Sequence, residues 1–240
     1  MSRRSVVITL TLLLVLLVAG GLWLRFNVDS LVKRAIVHYG SAITQAKVKV
    51  GDVEIDSANG RGRIRGLVLG NPRGFHTPYA FKADDIEVVM DVASLTGDVI
   101  VVRRIAVIAP DVIYEQGEKT TNFDAIQKSM EDSLGLSQTP VGGKPRKLIV
   151  EDFTVRRARA HGSNTYMAGK SLEVELPDIT LRDIGKAQGG VTPAELGQII
   201  GNAVTQRLVA AFSWERVKKS VGNSLDKAGN AIKGFFKSDK

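Results

Sequence analysis

Val48 to Leu69 reads VKVGDVEIDSANGRGRIRGLVL. Val48 and Val50 share one parity and Val53 and Ile55 the other, the two-residue period of a half-buried strand rather than the 3.6-residue period of a helix. The change of parity at Gly51-Asp52 predicts a bulge or kink. Asn59-Gly60 is a two-residue hairpin signal, and Gly62 to Leu69 is the return strand. The stretch predicts an antiparallel pair and a mainly β fold.

Further strands follow. Asn71-Pro72-Arg73-Gly74 closes the return strand in a loop that runs to Pro78. In Ala80–Val92, Ile86, Val88, Met90 and Val92 alternate with Glu87 and Asp91. Val99–Tyr114 is apolar on both parities and is interrupted at Arg103-Arg104 and at Pro110. This predicts a strand covered on two faces, with Pro110 at an edge or a bend. Asn122 caps a predicted helix from Phe123 to Leu134, with Asp124 in its first turn. Gly135 to Lys147 is a loop rich in Gly, Pro, Ser and Lys. Strands resume at Leu148–Ala158, Ser171–Leu176 and Ile179–Ile184. Ala109-Pro110-Asp111-Val112 and Leu176-Pro177-Asp178-Ile179 each place Pro-Asp between β runs.

Toward the N-terminus, Val28 to Tyr39 reads as a short helix with Gly40 as its C-cap. Before it, Ser5 to Leu24 contains no charge. At ~1.5 Å per helical residue this run is ~30 Å long, the thickness of a bilayer's hydrocarbon core. Val6, Ile8, Leu12, Leu14 and Leu17 fill its apolar length, and Trp23 suits the interfacial belt. Arg3 and Arg4 precede it and Arg25 follows, which favours a cytoplasmic N-terminus and export of the remainder. The run continues through Leu22-Trp23-Leu24 past the small residues Ala19-Gly20-Gly21, so an uncleaved anchor is expected rather than a signal peptide.

At the other end, Thr192 and Pro193 open a predicted helix to about Phe212. Beyond it, Trp214, Val217, Val221, Leu225, Ala228, Ile232 and Phe235 fall at spacings of three and four, a single helical stripe. Between Trp214 and Lys240 there are seven Lys/Arg against three Asp/Glu. Trp214, Val217, Val221, Leu225, Ile232 and Phe235 are therefore candidates to pack on the β domain, to lie on an anionic membrane or to bind a partner helix. The expected fold is mainly β with α. It comprises a single N-terminal transmembrane helix, a twisted antiparallel sheet of about seven strands and C-terminal amphipathic helices. The segments are 1–27 (anchor), 28–190 (β-rich domain) and 191–240 (helical segment).

The 240 residues include no cysteine. This removes disulfides, thiol catalysis and cysteine metal sites. No Asn-x-Ser/Thr acceptor is present. The net charge of +8 predicts a basic solvated surface or attraction to anionic lipid. Nucleic acid is not an expected partner, because an exported domain would not meet it and aromatic residues are only 6%. Gly60-Arg61-Gly62 with Gly66 lacks the third dinucleotide-loop glycine, at Arg65. Gly169-Lys170-Ser171 lacks the leading P-loop glycine, at Asn164. His38, His76 and His161 are far apart in sequence. No catalytic, metal or cofactor residue is assigned, and the chain reads as non-enzymatic.

One set of segments carries a resemblance. It comprises Val48–Ile55, then Ile64-Arg65-Gly66-Leu67-Val68-Leu69-Gly70-Asn71-Pro72-Arg73-Gly74-Phe75. It continues with Ala83-Asp84-Asp85-Ile86-Glu87-Val88, Asp91-Val92-Ala93-Ser94-Leu95, Ile105–Val112 and Thr121-Asn122-Phe123. With the preceding anchor, this order resembles the N-terminal region of AsmA-like proteins of the bacterial envelope, over about residues 5–126. The resemblance implies a single-pass protein of the bacterial inner membrane with a β-rich periplasmic domain. It also implies a part in envelope or outer-membrane biogenesis and contact with phospholipid on an apolar sheet face. The alternative is a structural or adaptor subunit that binds an envelope protein through the C-terminal stripe.

Overall fold

The computed structural model describes residues 28–135, 146–164 and 172–213. Ten strands form one sheet: β1 (Val48–Lys49), β2 (Asp52–Asp56), β3 (Arg61–Leu69), β4 (Phe81–Met90), β5 (Val99–Ile108), β6 (Asp111–Gln116), β7 (Lys147–Arg156), β8 (Arg159–Asn164), β9 (Leu172–Glu175) and β10 (Ile179–Ile184). Three α-helices accompany them: α1 over 28–44, α2 (Asn122–Gly135) and α3 over 193–213.

The ten strands lie on six tracks. β1 and β2 share the first, β3 and β4 take one each, and β5–β6, β7–β8 and β10–β9 are single tracks interrupted once. The interruptions line up. Val50-Gly51 separates β1 from β2, and beside it Gly66 of β3 has φ +61°. The Gly51 N–H bridges the Arg65 and Gly66 carbonyls at 3.0 and 3.1 Å. Further across stand Ala109-Pro110, Arg157-Ala158 and Pro177-Asp178, with Ala109 and Arg157 at φ +48° and +53°. Their backbones are stitched together: Ala109 N–H donates to Arg156 O, Arg159 N–H to Pro110 O and Leu176 N–H to Ala158 O, at 2.8–2.9 Å. Asp178 closes the row by accepting the Arg157 N–H at 3.2 Å. The result is a crease across the sheet, which β3 and β4 cross as continuous strands. No residue is inserted at the crease, since the pairing register is the same above and below it. Pro110 sits at the predicted bend and is fully buried. Both Pro-Asp pairs lie on this line.

The sheet is mixed, which corrects the expected antiparallel one of about seven strands. β5 pairs β7 in parallel, and β6 pairs β8 in parallel. The cause is α2. After β6 the chain passes through this helix and re-enters the sheet in the same direction, as a parallel neighbour requires. The extra strands come from tracks broken at the crease, and from β8.

Below the crease the two faces have opposite chemistry. Register aligns Val53, Ile64, Ile86, Val107, Val155 and Ile179 in one apolar row across all six tracks. Ile55, Gly62, Val88, Ile105, Phe153 and Leu181 form the next. α2 and α3 roof this side, with Phe123, Ile126, Leu208 and Phe212 in the same core as the strand residues. The two helices are antiparallel: Gln127 meets Asn202 and Glu131 meets Gln198. Met130 lies over Gly197 and Gly201, where a Cβ would stand at an ordinary contact distance of 3.8–3.9 Å from its sulfur. The two apolar parities of Val99–Ile108 arise because the register shifts opposite Val89/Met90, so Val102, Ile105 and Val107 all reach the helical side.

Several local expectations hold. Gly60, at φ +63°, turns the β2–β3 hairpin. Thr192 and Glu195 form a reciprocal capping box at the start of α3, with bonds of 3.2 and 2.7 Å. Gly40 does not end α1. The helix continues to residue 44, and Gln45 takes the left-handed conformation at φ +51°. Gly40 is instead a contact point: a Cβ there would stand 3.2 Å from Val48 Cγ2.

Gly162 on β8 lies beneath the Phe212 ring, where a Cβ would come within 2.7 Å of Cε1. Phe212 in turn stacks on Tyr114 at 5.4 Å, with 7° between the rings. Gly162→Val will therefore displace Phe212 and cost about 1–3 kcal/mol of overpacking, measured by urea unfolding. Unchanged stability would contradict this packing.

Candidate functional surface

Above the crease a buried polar joint ties the loop over 71–77 to β6 and to the start of α2. Glu115 on β6 is only 4% exposed. Its Oε1 accepts the His76 N–H at 2.8 Å. Its Oε2 accepts the Thr77 N–H at 2.8 Å and the Thr77 hydroxyl at 2.6 Å. Asn122, fully buried at the start of α2, accepts the Glu115 and Phe123 N–H groups through Oδ1, both at 3.0 Å. Its Nδ2 donates to Asn71 Oδ1 at 2.9 Å and to Ile113 O at 2.7 Å. Asn71 then donates to the Thr77 carbonyl and hydroxyl, both at 2.7 Å. Asn122 thus uses its whole amide, and every bond holds backbone or a neighbouring joint residue. Burial pushes the Glu115 pKa up, but the Thr77 hydroxyl and the Thr77 and His76 N–H groups outweigh it and hold the carboxyl below its ordinary value.

Asp91-Val92-Ala93-Ser94 is a second joint. Asp91 caps a short 3₁₀ turn by accepting the Ala93 N–H at 3.0 Å, and its other oxygen pairs with Arg103 at 2.8 Å. Ser94 Oγ donates to Asp91 O at 2.6 Å and accepts the Val101 N–H at 2.9 Å. The conspicuous sequence motifs thus do architectural work.

The open side of the sheet is charged. Asp52, Arg65 and Asp85 stand in one row across β2, β3 and β4. Glu54, Arg63 and Glu87 stand in the next. Arg63 reaches Asp85 at 3.1 Å and Glu87 at 2.6 Å, and Arg65 reaches Glu54 at 2.5 Å and Asp52 at 3.9 Å. Further along, Arg104 pairs with Asp152 at 3.7 Å. These groups are roughly half exposed, so each pair contributes little to stability. A cleft of about 630 Å³ opens at this end of the sheet, lined by charged Asp29 of α1, Glu54, Arg63, Glu87 and Arg104 and also by Ile55, Gly62 and Val88 of the second apolar row.

A third cluster joins Tyr79, Asp111 and His161. The Tyr79 hydroxyl donates to Asp111 Oδ1 at 3.2 Å, and His161 Nε2 lies 3.3 Å from Asp111 Oδ2. Burial and then the Asp111 charge raise the Tyr79 pKa, so the phenol remains a donor at neutral pH. No Ser, Thr or Cys oxygen or sulfur is bonded to His161 among the described residues. The cluster acts as a brace between β6, β8 and the segment entering β4. His38 is on α1, edge-on to Tyr39, and His76 contributes its backbone to the Glu115 joint. The histidines are not brought together, and no three metal-ligating side chains cluster among the described residues.

Val6, Ile8, Leu12, Leu14, Leu17 and Trp23 lie outside the described residues, as do Trp214, Val217, Val221, Leu225, Ile232, Phe235 and the Gly169-Lys170-Ser171 segment. No helix among the described residues is long and apolar enough to cross a membrane. The charged rows had a signal in the sequence, Asp52, Glu54, Arg61, Arg63 and Arg65 alternating with apolar residues. Their meeting depended on strand register.

The described residues therefore define a helix-backed mixed β-sheet domain with a charged outer face. No protein-family profile matches the chain, and a search of curated proteins finds no significant relative.

Two predictions follow from the polar joint. Glu115→Gln keeps one acceptor oxygen and sets its NH₂ against either the His76 N–H or the Thr77 N–H, which will cost about 1–3 kcal/mol, measured by chemical denaturation at pH 7. Because the Glu115 pKa is depressed on folding, its stabilisation is complete above the unfolded-state value near 4.5 and is lost as pH falls through the folded value. The wild-type chain will accordingly lose more stability than Glu115→Gln between pH 5 and pH 3. A double-mutant cycle of Asn71→Ala and Asn122→Ala will show coupling of about 0.5–3 kcal/mol, and strict additivity would refute the joint.

Proposed function

We propose that this chain is a non-enzymatic, membrane-anchored protein of the bacterial envelope, of AsmA-like type. Residues 5–24 hold it in the inner membrane, and the sheet domain acts in the periplasm as a scaffold in envelope biogenesis. The observation that carries the scaffold role is the division of the sheet's faces. Ile86, Val107, Phe153, Val155 and Ile179 of the apolar rows are buried in one core with the chain's own α2 and α3, whereas the open face offers ordered Arg and carboxylate rows. That pattern suits a protein partner with complementary charges better than an acyl chain, which needs apolar surface. The AsmA-like reading rests on the order of the resembling segments in the sequence.

Two measurements test the proposal. The chain has no cysteine, so Thr180→Cys gives one thiol on the exposed edge strand. A membrane-impermeant maleimide should label it in cells with an intact inner membrane, and labelling only after lysis would overturn the periplasmic placement. A photo-crosslinking side chain at Arg61 should give one discrete protein adduct that is lost in the Arg63→Ala/Arg65→Ala double variant. Absence of any adduct, together with phospholipid co-purifying at a stoichiometric ratio, would favour a lipid carrier instead.

A further inference from the structure

α1 presents two unlike faces. The inner one is fixed to the β1–β2 edge: Lys33 Nζ donates to Gly51 O at 2.5 Å, Ser41 Oγ accepts the Val48 N–H at 3.0 Å, Gly40 abuts Val48, and Thr44 is buried. The outer one carries Leu31, Arg34, His38 and Ala42 at spacings of three and four, all exposed. Beside this stripe Tyr39 is 59% exposed, the most exposed of the large apolar and aromatic side chains named here. An aliphatic residue, a cationic residue and an aromatic ring with a polar tip together match the side-chain set that settles at a lipid–water interface.

The sequence supplies the occupant. The uncharged run ends at Leu24, four residues before α1 begins. Four residues reach ~14 Å even when fully extended, and the headgroup layer is ~5–8 Å deep on each side of the hydrocarbon. The first turn of α1 therefore starts in or beside that layer. An upright α1 would lift Tyr39 ~12 Å beyond Leu31 and Ala42 ~16 Å beyond it, into water. A flat α1 would keep all three at one depth.

We infer that α1 lies along the membrane surface, with Leu31, Arg34, His38 and Tyr39 in the headgroup layer of an anionic bilayer. This rests on the reading of residues 5–24 as the anchor. It places the β1–β2 edge next to the membrane and the β10–β9 edge farthest away, about five strand spacings or ~24 Å distant.

The test is spin-label depth measurement on the full chain reconstituted in phosphatidylethanolamine/phosphatidylglycerol vesicles. Single cysteines at Leu12, Leu31, His38, Ala42 and Thr180 carry the label, and near-UV circular dichroism checks that each variant folds. The labels at 31, 38 and 42 should lie within a few ångströms of one depth in the headgroup layer, with 12 in hydrocarbon and 180 in water. A label at 42 in bulk water, with 12 still in hydrocarbon, would overturn the inference and leave the anchor standing. A label at 12 in water would overturn the anchor reading itself.

Discussion

The crease is the constraint on which the rest of this domain depends. A strand that changes parity exchanges its buried and exposed residues. Such a change in one strand alone would leave neighbouring rows mismatched. Here the breaks at Val50-Gly51, Ala109-Pro110, Arg157-Ala158 and Pro177-Asp178 and the left-handed Gly66 of β3 fall on one line, so apolar rows stay continuous on both sides of it. The left-handed residues Ala109 and Arg157 carry a conformational cost of order 1–3 kcal/mol each. The backbone bonds between adjacent breaks and the burial of Pro110 and Ala158 hold them in place.

From this line the two faces follow. The apolar rows need a cover, and the parallel return from β6 to β7 supplies α2, against which α3 packs antiparallel. The remaining face is free to be polar, and its charges pair across strands by register. Exposed pairs of this kind contribute little to stability.

Much of this was legible in the sequence where local signals suffice. The Asn59-Gly60 hairpin, the parity change at Gly51, the bend at Pro110 and the Thr192 cap depend on a few adjacent residues. The parallel pairing was not legible, because it is decided by where the chain goes after α2. β8 was missed for a different reason. Arg159-Ala160-His161-Gly162 has no alternation of large apolar side chains, since the volume over Gly162 is filled by Phe212 from α3. Asn71 and Asn122 stood out as sequence motifs, but their bond spans 51 positions. Glu115 drew no attention at all, since a carboxylate in a strand ordinarily signals an exposed face.

The central claim is that α2 and α3 close the apolar side of the sheet as permanent parts of its core. Hydrogen exchange on the full chain in detergent tests this most directly. The account predicts that the α3 amides from Val204 to Phe212 exchange through the same global opening as the β7 amides from Val150 to Val155. Exchange of α3 through a separate, low-energy opening while β7 stays protected would contradict it, because the apolar rows would then be a face that uncovers.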